Sequence, residues 1–332
     1  MLKYLAFICP LFLFFIQCNS PTASDAPAKW ESINNGLDNL TIQILASDPL
    51  NANTLYAGTA RGIYKTTDGG SKWVEINNGL TGLDIKTIAV HPQSSIVYCG
   101  TWGDGVFESD DGGENWQAVK GFETPLINSI AINPNAPQEI AVGTEENLYK
   151  SSDGGQTWTK SFGPGNVQSV VWLNTSSQTM FIGVQYQGIY RSVNDGETWE
   201  KRNSGLFKSG SNYVAPKSFA FKDGGQTIFI GTDWVDVYRS EDSGTNWVVH
   251  MNGTENARVK DIVVDPLDDN VIWAATDQGI LQSTDNGESW PLFAGLGAVG
   301  NAQSILAIPS EGKTILYVGT MTKGIFRYVA RY

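Results

Sequence analysis

The sequence predicts an all-β fold: a seven-bladed β-propeller of four-stranded antiparallel blades, its ring closed by the N-terminal strand near Trp30. Three observations predict it. An eight-residue segment ending in tryptophan recurs six times. Its tryptophans, Trp73, Trp116, Trp158, Trp199, Trp247 and Trp290, stand 43, 42, 41, 48 and 43 residues apart. A period of about 40–45 residues built from several short strands marks propeller blades. Lastly, Lys29-Trp30-Glu31-Ser32-Ile33-Asn34-Asn35-Gly36-Leu37 repeats Lys72-Trp73-Val74-Glu75-Ile76-Asn77-Asn78-Gly79-Leu80 almost residue for residue, with no complete unit before it.

The recurring segment reads Thr66-Thr67-Asp68-Gly69-Gly70-Ser71-Lys72-Trp73 in its first copy, with close copies at 109–116 and 151–158 and looser ones at 192–199, 240–247 and 283–290. Its form is Ser/Thr-x-Asp-x-Gly-x-x-Trp, with Asp68, Asp111, Asp153, Asn194, Asp242 and Asp285 at the third position. Each residue type suits a hairpin turn. The carboxylate accepts hydrogen bonds from turn amides. The glycine takes a positive φ. The tryptophan buries a large apolar surface at the start of the next strand.

The strands of a unit follow in order. A first strand ends at a proline turn, as in Ile88-Ala89-Val90-His91-Pro92, and likewise at 129–134, 261–266 and 304–309. A second ends in Gly-Thr, at 55–59, 96–101, 140–144, 228–232 and 316–320. A third begins after a short loop, as in Gly62-Ile63-Tyr64 and Gly324-Ile325-Phe326. The box follows, and its tryptophan opens the fourth strand. The second strands number seven, around Gly58, Gly100, Gly143, Gly183, Gly231, Ala275 and Gly319. The seventh unit has no box. Residues 30–33 are therefore expected to pair with the strand around 324–328, removing an exposed sheet edge.

These boxes resemble the Asp-box, or BNR, repeat over nearly the whole chain after the leader. The resemblance implies a propeller whose boxes are structural and lie on one rim. It reaches single-propeller exported proteins related to photosystem II assembly factors, sortilin-type propellers and xyloglucanase propellers. It implies a ligand site on the opposite face. Sialidases with these repeats need an arginine cluster and an Arg-Ile-Pro segment; the segment is absent here. Arg191, Arg239 and Arg327 share a strand position with Lys65 and Lys150 and read as outward edge residues. Xyloglucan-degrading relatives use one aspartate from each of two propellers, and one propeller is predicted here.

Composition narrows the classes further. The chain has 332 residues, 36 glycines, 11 tryptophans and a net charge of −12, with the acidity dispersed. No basic stripe suggests nucleic acid. Residues 1–17 read as a signal peptide, with Lys3 before the apolar run 5–16, too short for a comfortable membrane span. Cys18 follows, and then a polar tether through residue 29. That order suits lipidation of Cys18 and attachment to a membrane surface in the cell envelope, although Gln17 stands where a small residue is usual; plain secretion is the alternative. The folded body is then 30–332. Cys99 is the one cysteine left in it and reads as a small buried hydrophobe. No disulfide, cofactor or metal site is expected, and a monomer is. His91 reads as a turn residue and His250 as an outer-strand residue.

The loops between second and third strands supply the candidate ligand-binding residues: Trp102, Glu145, Tyr186 and Trp234, joined by Tyr213 in the long link 206–217. Flat aromatics beside polar groups suit a glycan, through ring stacking and hydroxyl hydrogen bonds. The blander reading is that these side chains pack on neighbouring loops. If the protein is a glycoside hydrolase instead, its paired carboxylates would come from Asp104, Asp233, Asp236 and Asp277. The expectation is thus an exported binding or scaffold module for a glycan or a protein, with a glycosidase as the alternative.

Overall fold

In the computed structural model the chain is a seven-bladed propeller of antiparallel blades with almost no helix. The structure describes residues 29–121, 126–232, 237–250, 257–293 and 299–330. The leader, Cys18, Trp234, Asp233 and Asp236 lie outside these residues.

The first blade shows the plan. Strands Ile42–Asp48, Asn51–Thr59, Gly62–Thr66 and Val74–Glu75 pair antiparallel in chain order, from the central channel outward. The seventh blade is composed of both chain ends. Its strands Ala302–Ser310, Lys313–Thr320 and Ile325–Ala330 take Glu31–Ser32 as the fourth, with Glu31 opposite Arg327 and Ser32 opposite Phe326. The predicted closure is therefore present. In the sixth blade three regular strands form among the described residues, Val259–Val264, Ile272–Thr276 and Gly279–Ser283, and an isolated Leu281–Leu292 bridge lies at its outer edge.

The second strand of each blade is the most buried, because both its faces meet neighbouring blades; Val97–Thr101 is covered at every position. Close approach explains its glycine. A Cβ on Gly58 would lie 2.7 Å from the side chains of both Ile44 and Ile85. The threonine that follows sets the loop beyond it: Thr59, Thr101, Thr144, Thr276 and Thr320 each donate to a carbonyl three or four residues on.

Each box is a hydrogen-bonded knot. Thr66 Oγ1 donates to Asp68 Oδ1 at 2.7 Å and accepts from the Gly70 amide at 3.0 Å, while Asp68 Oδ1 also accepts from the Lys72 amide at 3.0 Å. The same three bonds recur around Asp111, Asp153, Asn194, Asp242 and Asp285. The tryptophans then tie blades together. Trp73, Trp116, Trp199 and Trp247 donate Nε1 to carbonyls of the preceding blade's outer segment, at Ile33, Ile76, Ser161 and Arg202. Trp158 and Trp290 donate instead within their own boxes, to Gly155 and Gly287.

The cationic residues of the third strands are not outward edge residues, contrary to the sequence expectation. Lys65, Lys150, Arg239 and Arg327 each donate to a box carbonyl of the next blade, at Gly112, Asp195, Asn286 and Gly69. Arg191 lies over the Phe181 ring, 5.7 Å from its centroid. The cause is architectural: a propeller stacks blade against blade, so a residue pointing away from one blade meets the next one. Tyrosines of the second strands add to these links. Tyr56, Tyr98 and Tyr317 donate to the carbonyls of Gly112, Gly154 and Gly69. Cys99 is a free, fully buried thiol, pushed above its ordinary value by that burial.

Candidate functional site

The boxes and the proline turns share one rim; the Gly69 amide donates to the carbonyl of Asn53, near the start of the second strand. The loops between second and third strands and the inter-blade links form the other face. The first strand of every blade starts at that face.

All seven first strands carry a bulge at the same place, next to their start. A bulge leaves one residue unpaired and re-aims its side chain. The seven residues are Gln43, Lys86, Asn128, Gln168, Lys217, Lys260 and Gln303, and all seven line one cavity of about 700 Å³ at the channel mouth. They form a polar collar. Lys86 Nζ donates to Gln43 Oε1 at 2.7 Å, Lys217 donates to Gln168, and Asn128 Nδ2 donates to Asn166 Oδ1 at 2.9 Å. Asp84 pairs with Lys86 at 3.0 Å.

Immediately below the collar, the next residue of the first strand stitches neighbouring blades in five of the seven units. Thr87, Ser218 and Ser304 accept the amides of Ile130, Ile262 and Leu45, and Ser169 donates to the Pro216 carbonyl. Asp261 occupies this position in the sixth blade. It accepts from Ser218 on one side at 2.7 Å, and from Ser304 and the Ile305 amide on the other at 3.2 and 3.0 Å. Crowding by the surrounding strands pushes its carboxyl above the usual carboxylate range, while these hydrogen bonds oppose the shift.

A second cavity, of about 220 Å³, adjoins the collar. The long link between the fourth and fifth blades makes it. Lys208–Ser209 and Asn212–Tyr213 form a small hairpin that rests on the fourth blade through a Tyr186–Tyr213 bridge. Tyr186 adopts φ 65°, a backbone conformation that L side chains rarely take, and is 57% exposed. With Phe207, 49% exposed, it gives this cavity an aromatic wall. Gln168, Gln185 and Lys217 line both cavities, so the two adjoin. On another side of the channel mouth Trp102 is 44% exposed, with Lys86 Nζ 5.4 Å from its ring centroid.

Of the residues named from sequence, Trp102 and Glu145 thus line the channel mouth, and Tyr186 and Tyr213 line the side cavity. Asp104 and Asp277 line neither. Asp104 packs on Gly82, where a Cβ would come within 2.6 Å of its Oδ2, and Asp277 accepts the Arg258 amide at 3.0 Å. The collar was not singled out from the sequence. Its signal was there: triplets such as Ile42-Gln43-Ile44, Ile85-Lys86-Thr87 and Val259-Lys260-Asp261 each place a polar residue straight after the apolar residue that opens the first strand. Among the described residues no group of histidine, cysteine and carboxylate side chains could hold a metal ion.

Comparison of the sequence with protein-family models finds no match, and comparison with curated proteins finds none. Solved structures share the fold. A GH74 xyloglucanase from Xanthomonas campestris is 16% identical with a TM-score of 0.74, over 91% of this chain and 53% of that one. The extracellular domain of the one component system BT4673 from B. thetaiotaomicron is 16% identical with a TM-score of 0.72, over 92% of this chain and 40% of that one. YCF48 bound to D1 peptide is 17% identical with a TM-score of 0.66, over 94% of this chain and 98% of that one. The chain therefore spans about half the length of the xyloglucanase and nearly all of YCF48.

Proposed function

We propose that this chain is a binding module whose ligand, a glycan or a protein, sits on the face opposite the boxes, over the channel mouth and the aromatic cavity beside it. One observation carries the reading: two adjoining cavities lie on that face, with exposed aromatic rings at their edges and polar side chains from all seven blades lining the larger one. Such convergence is what a ligand site needs. The likeness to propellers that bind a peptide or act on xyloglucan supports the choice of ligand class. In this reading export and a lipid on Cys18 would hold the propeller at a membrane surface.

The test is a panel of oligosaccharides and peptides titrated against the purified protein and against its Trp102→Ala and Tyr186→Ala variants. Binding weakened by either variant supports the reading. Equal binding by both variants and the parent removes the loop face as the site. Hydrolysis of any panel oligosaccharide would bring back the glycosidase reading, to be checked with Asp104→Asn, Asp233→Asn, Asp236→Asn and Asp277→Asn.

A further inference from the structure

Between the two cavities runs a chain of hydrogen bonds with a direction. Lys217 Nζ donates to Gln168 Oε1, Gln168 Nε2 donates to Asn166 Oδ1, and Asn166 Nδ2 donates to Gln185 Oε1 at 3.1 Å. Asn128 Nδ2 also donates to Asn166 Oδ1, at 2.9 Å. The direction has one cause. An ammonium has donors and no acceptor, whereas a side-chain amide has an oxygen at one end and N–H groups at the other. Lys217 therefore turns the Gln168 oxygen towards itself, and the Gln168 nitrogen is left to face Asn166. Asn166 repeats the step, so the Gln185 oxygen faces Asn166. What Gln185 has left is its Nε2. Gln185 lines both cavities, and among the described residues nothing accepts from that nitrogen. The chain starts at a lysine already engaged and ends at two open N–H donors.

We infer that Gln185 Nε2 is a specificity-determining donor, and that it takes the acetamido carbonyl of an N-acetylated amino sugar. This rests on the loop face being the ligand face. A carbonyl oxygen has two lone pairs and no hydrogen, so it matches a nitrogen with two hydrogens; a sugar hydroxyl brings a hydrogen of its own. An acetamido group also carries a methyl, and Val214 and Ala215 give the side cavity apolar lining for it. The sugar ring has a platform in Tyr186. That residue is 57% exposed, and its backbone is held in place where its carbonyl accepts the Tyr213 amide at 3.0 Å. At about 220 Å³ the side cavity suits one ring and its branch rather than a run of peptide residues. Lys217 is a positioning residue in this scheme, acting through Gln168 and Asn166.

The experiment uses a matched pair of uncharged probes: triacetylchitotriose and cellotriose, which carry an acetamido group and a hydroxyl at the same ring position. Calorimetric titration of the full-length protein is expected to favour the acetylated probe by about tenfold, the value of one well-made hydrogen bond. Because neither probe is charged, the preference should persist between about 50 and about 500 mM salt. Gln185→Glu exchanges the donor for an acceptor at the same size and should abolish the preference. Gln185→Met, which removes the donor without adding charge, should do the same. Lys217→Met frees the amides to turn over and should reduce the preference, whereas Lys217→Arg keeps a donor there and should retain it. Tyr186→Ala should weaken both probes alike. Unchanged melting temperatures would show that the variants fold. Equal binding of the two probes, or a preference that survives both Gln185 variants, overturns the inference and leaves the loop face as the site. Binding of peptides alone, or of neither probe, overturns it as well. Binding that no loop-face variant affects overturns the ligand-face reading instead.

Discussion

Asn34 Oδ1 accepts the amide of Ile325 at 2.7 Å, and its Nδ2 donates to the Lys323 carbonyl at 2.8 Å, joining residues from opposite ends of the chain. Asn77 and Asn203 bond Ile63 and Ile189 in the same way inside single blades. Asn34 is therefore an ordinary blade residue employed as a clasp. Asn34→Ala should cost about 1 kcal/mol, the net worth of part-buried hydrogen bonds whose partners can turn to water. The check is the urea midpoint. A midpoint matching the parent's would show that the clasp contributes nothing. Deleting residues 1–28 should leave the midpoint in place, and deleting 1–36 should lower it sharply.

The boxes give the fold an acid limit. Asp111 is held down to about 2 by the Asn115 side chain, the Asn115 amide and Ser109. Asp153 is held down to about 2 by the Thr157 hydroxyl, the Thr157 amide and Ser151. A carboxyl depressed on folding stabilises above its unfolded value, near 3.8, and that help is lost as pH falls towards 2. An Asp111→Asn, Asp153→Asn double variant should unfold less steeply between pH 4 and pH 2, as circular dichroism would record. Equal acid transitions would count against the boxes as the cause.

The inter-blade tyrosines set an alkaline limit. Burial, with Asp48 and Glu114 nearby, pushes Tyr56 up to about 12. A phenol raised on folding stabilises fully below its unfolded value, near 10, and that contribution is lost as pH rises through about 12. Tyr56→Phe should remove this alkaline loss. At neutral pH it should cost about 1 kcal/mol for the bond to Gly112. Denaturant titrations at pH 7 and pH 11 separate the two effects.

Asp261 predicts a trend opposite in sign to that of the boxes. Its carboxyl is raised on folding, so its contribution is greatest below the unfolded value, near 3.8, and declines as pH rises through the folded value. Asp261→Ser places there the residue that Ser218 and Ser304 supply in neighbouring blades. This variant should melt with a flatter pH dependence as pH rises above about 4, the unfolded carboxyl's range. A slope equal to the parent's would assign the trend elsewhere.

The ring was legible because its marks are local. A tryptophan every 41 to 48 residues and the doubled Lys-Trp…Asn-Asn-Gly-Leu segment needed no knowledge of distant contacts. The box hydrogen bonds follow from residue types two to four positions apart. The site was legible only in part. Trp102 and Tyr186 stood out as aromatics in loops, and the link 206–217 by its length. Arg239 and Arg327 were misread because strand alternation says which side a residue takes, while the next blade decides what that side meets. The collar stayed hidden for a similar reason. Gln43 or Lys260 looks like one polar position in an alternating strand until seven such strands share an axis.

The repeated bulge has an evolutionary consequence. It delivers seven side chains to one height around the channel, and the backbone geometry that does so is set by the strands, not by what those side chains are: glutamine, lysine and asparagine all occupy it. Exchanging residues at those seven codons would change the charge and hydrogen-bonding character of the channel mouth while leaving the wheel intact. The chemistry of the mouth can therefore drift by single steps on a frame that accommodates each of them.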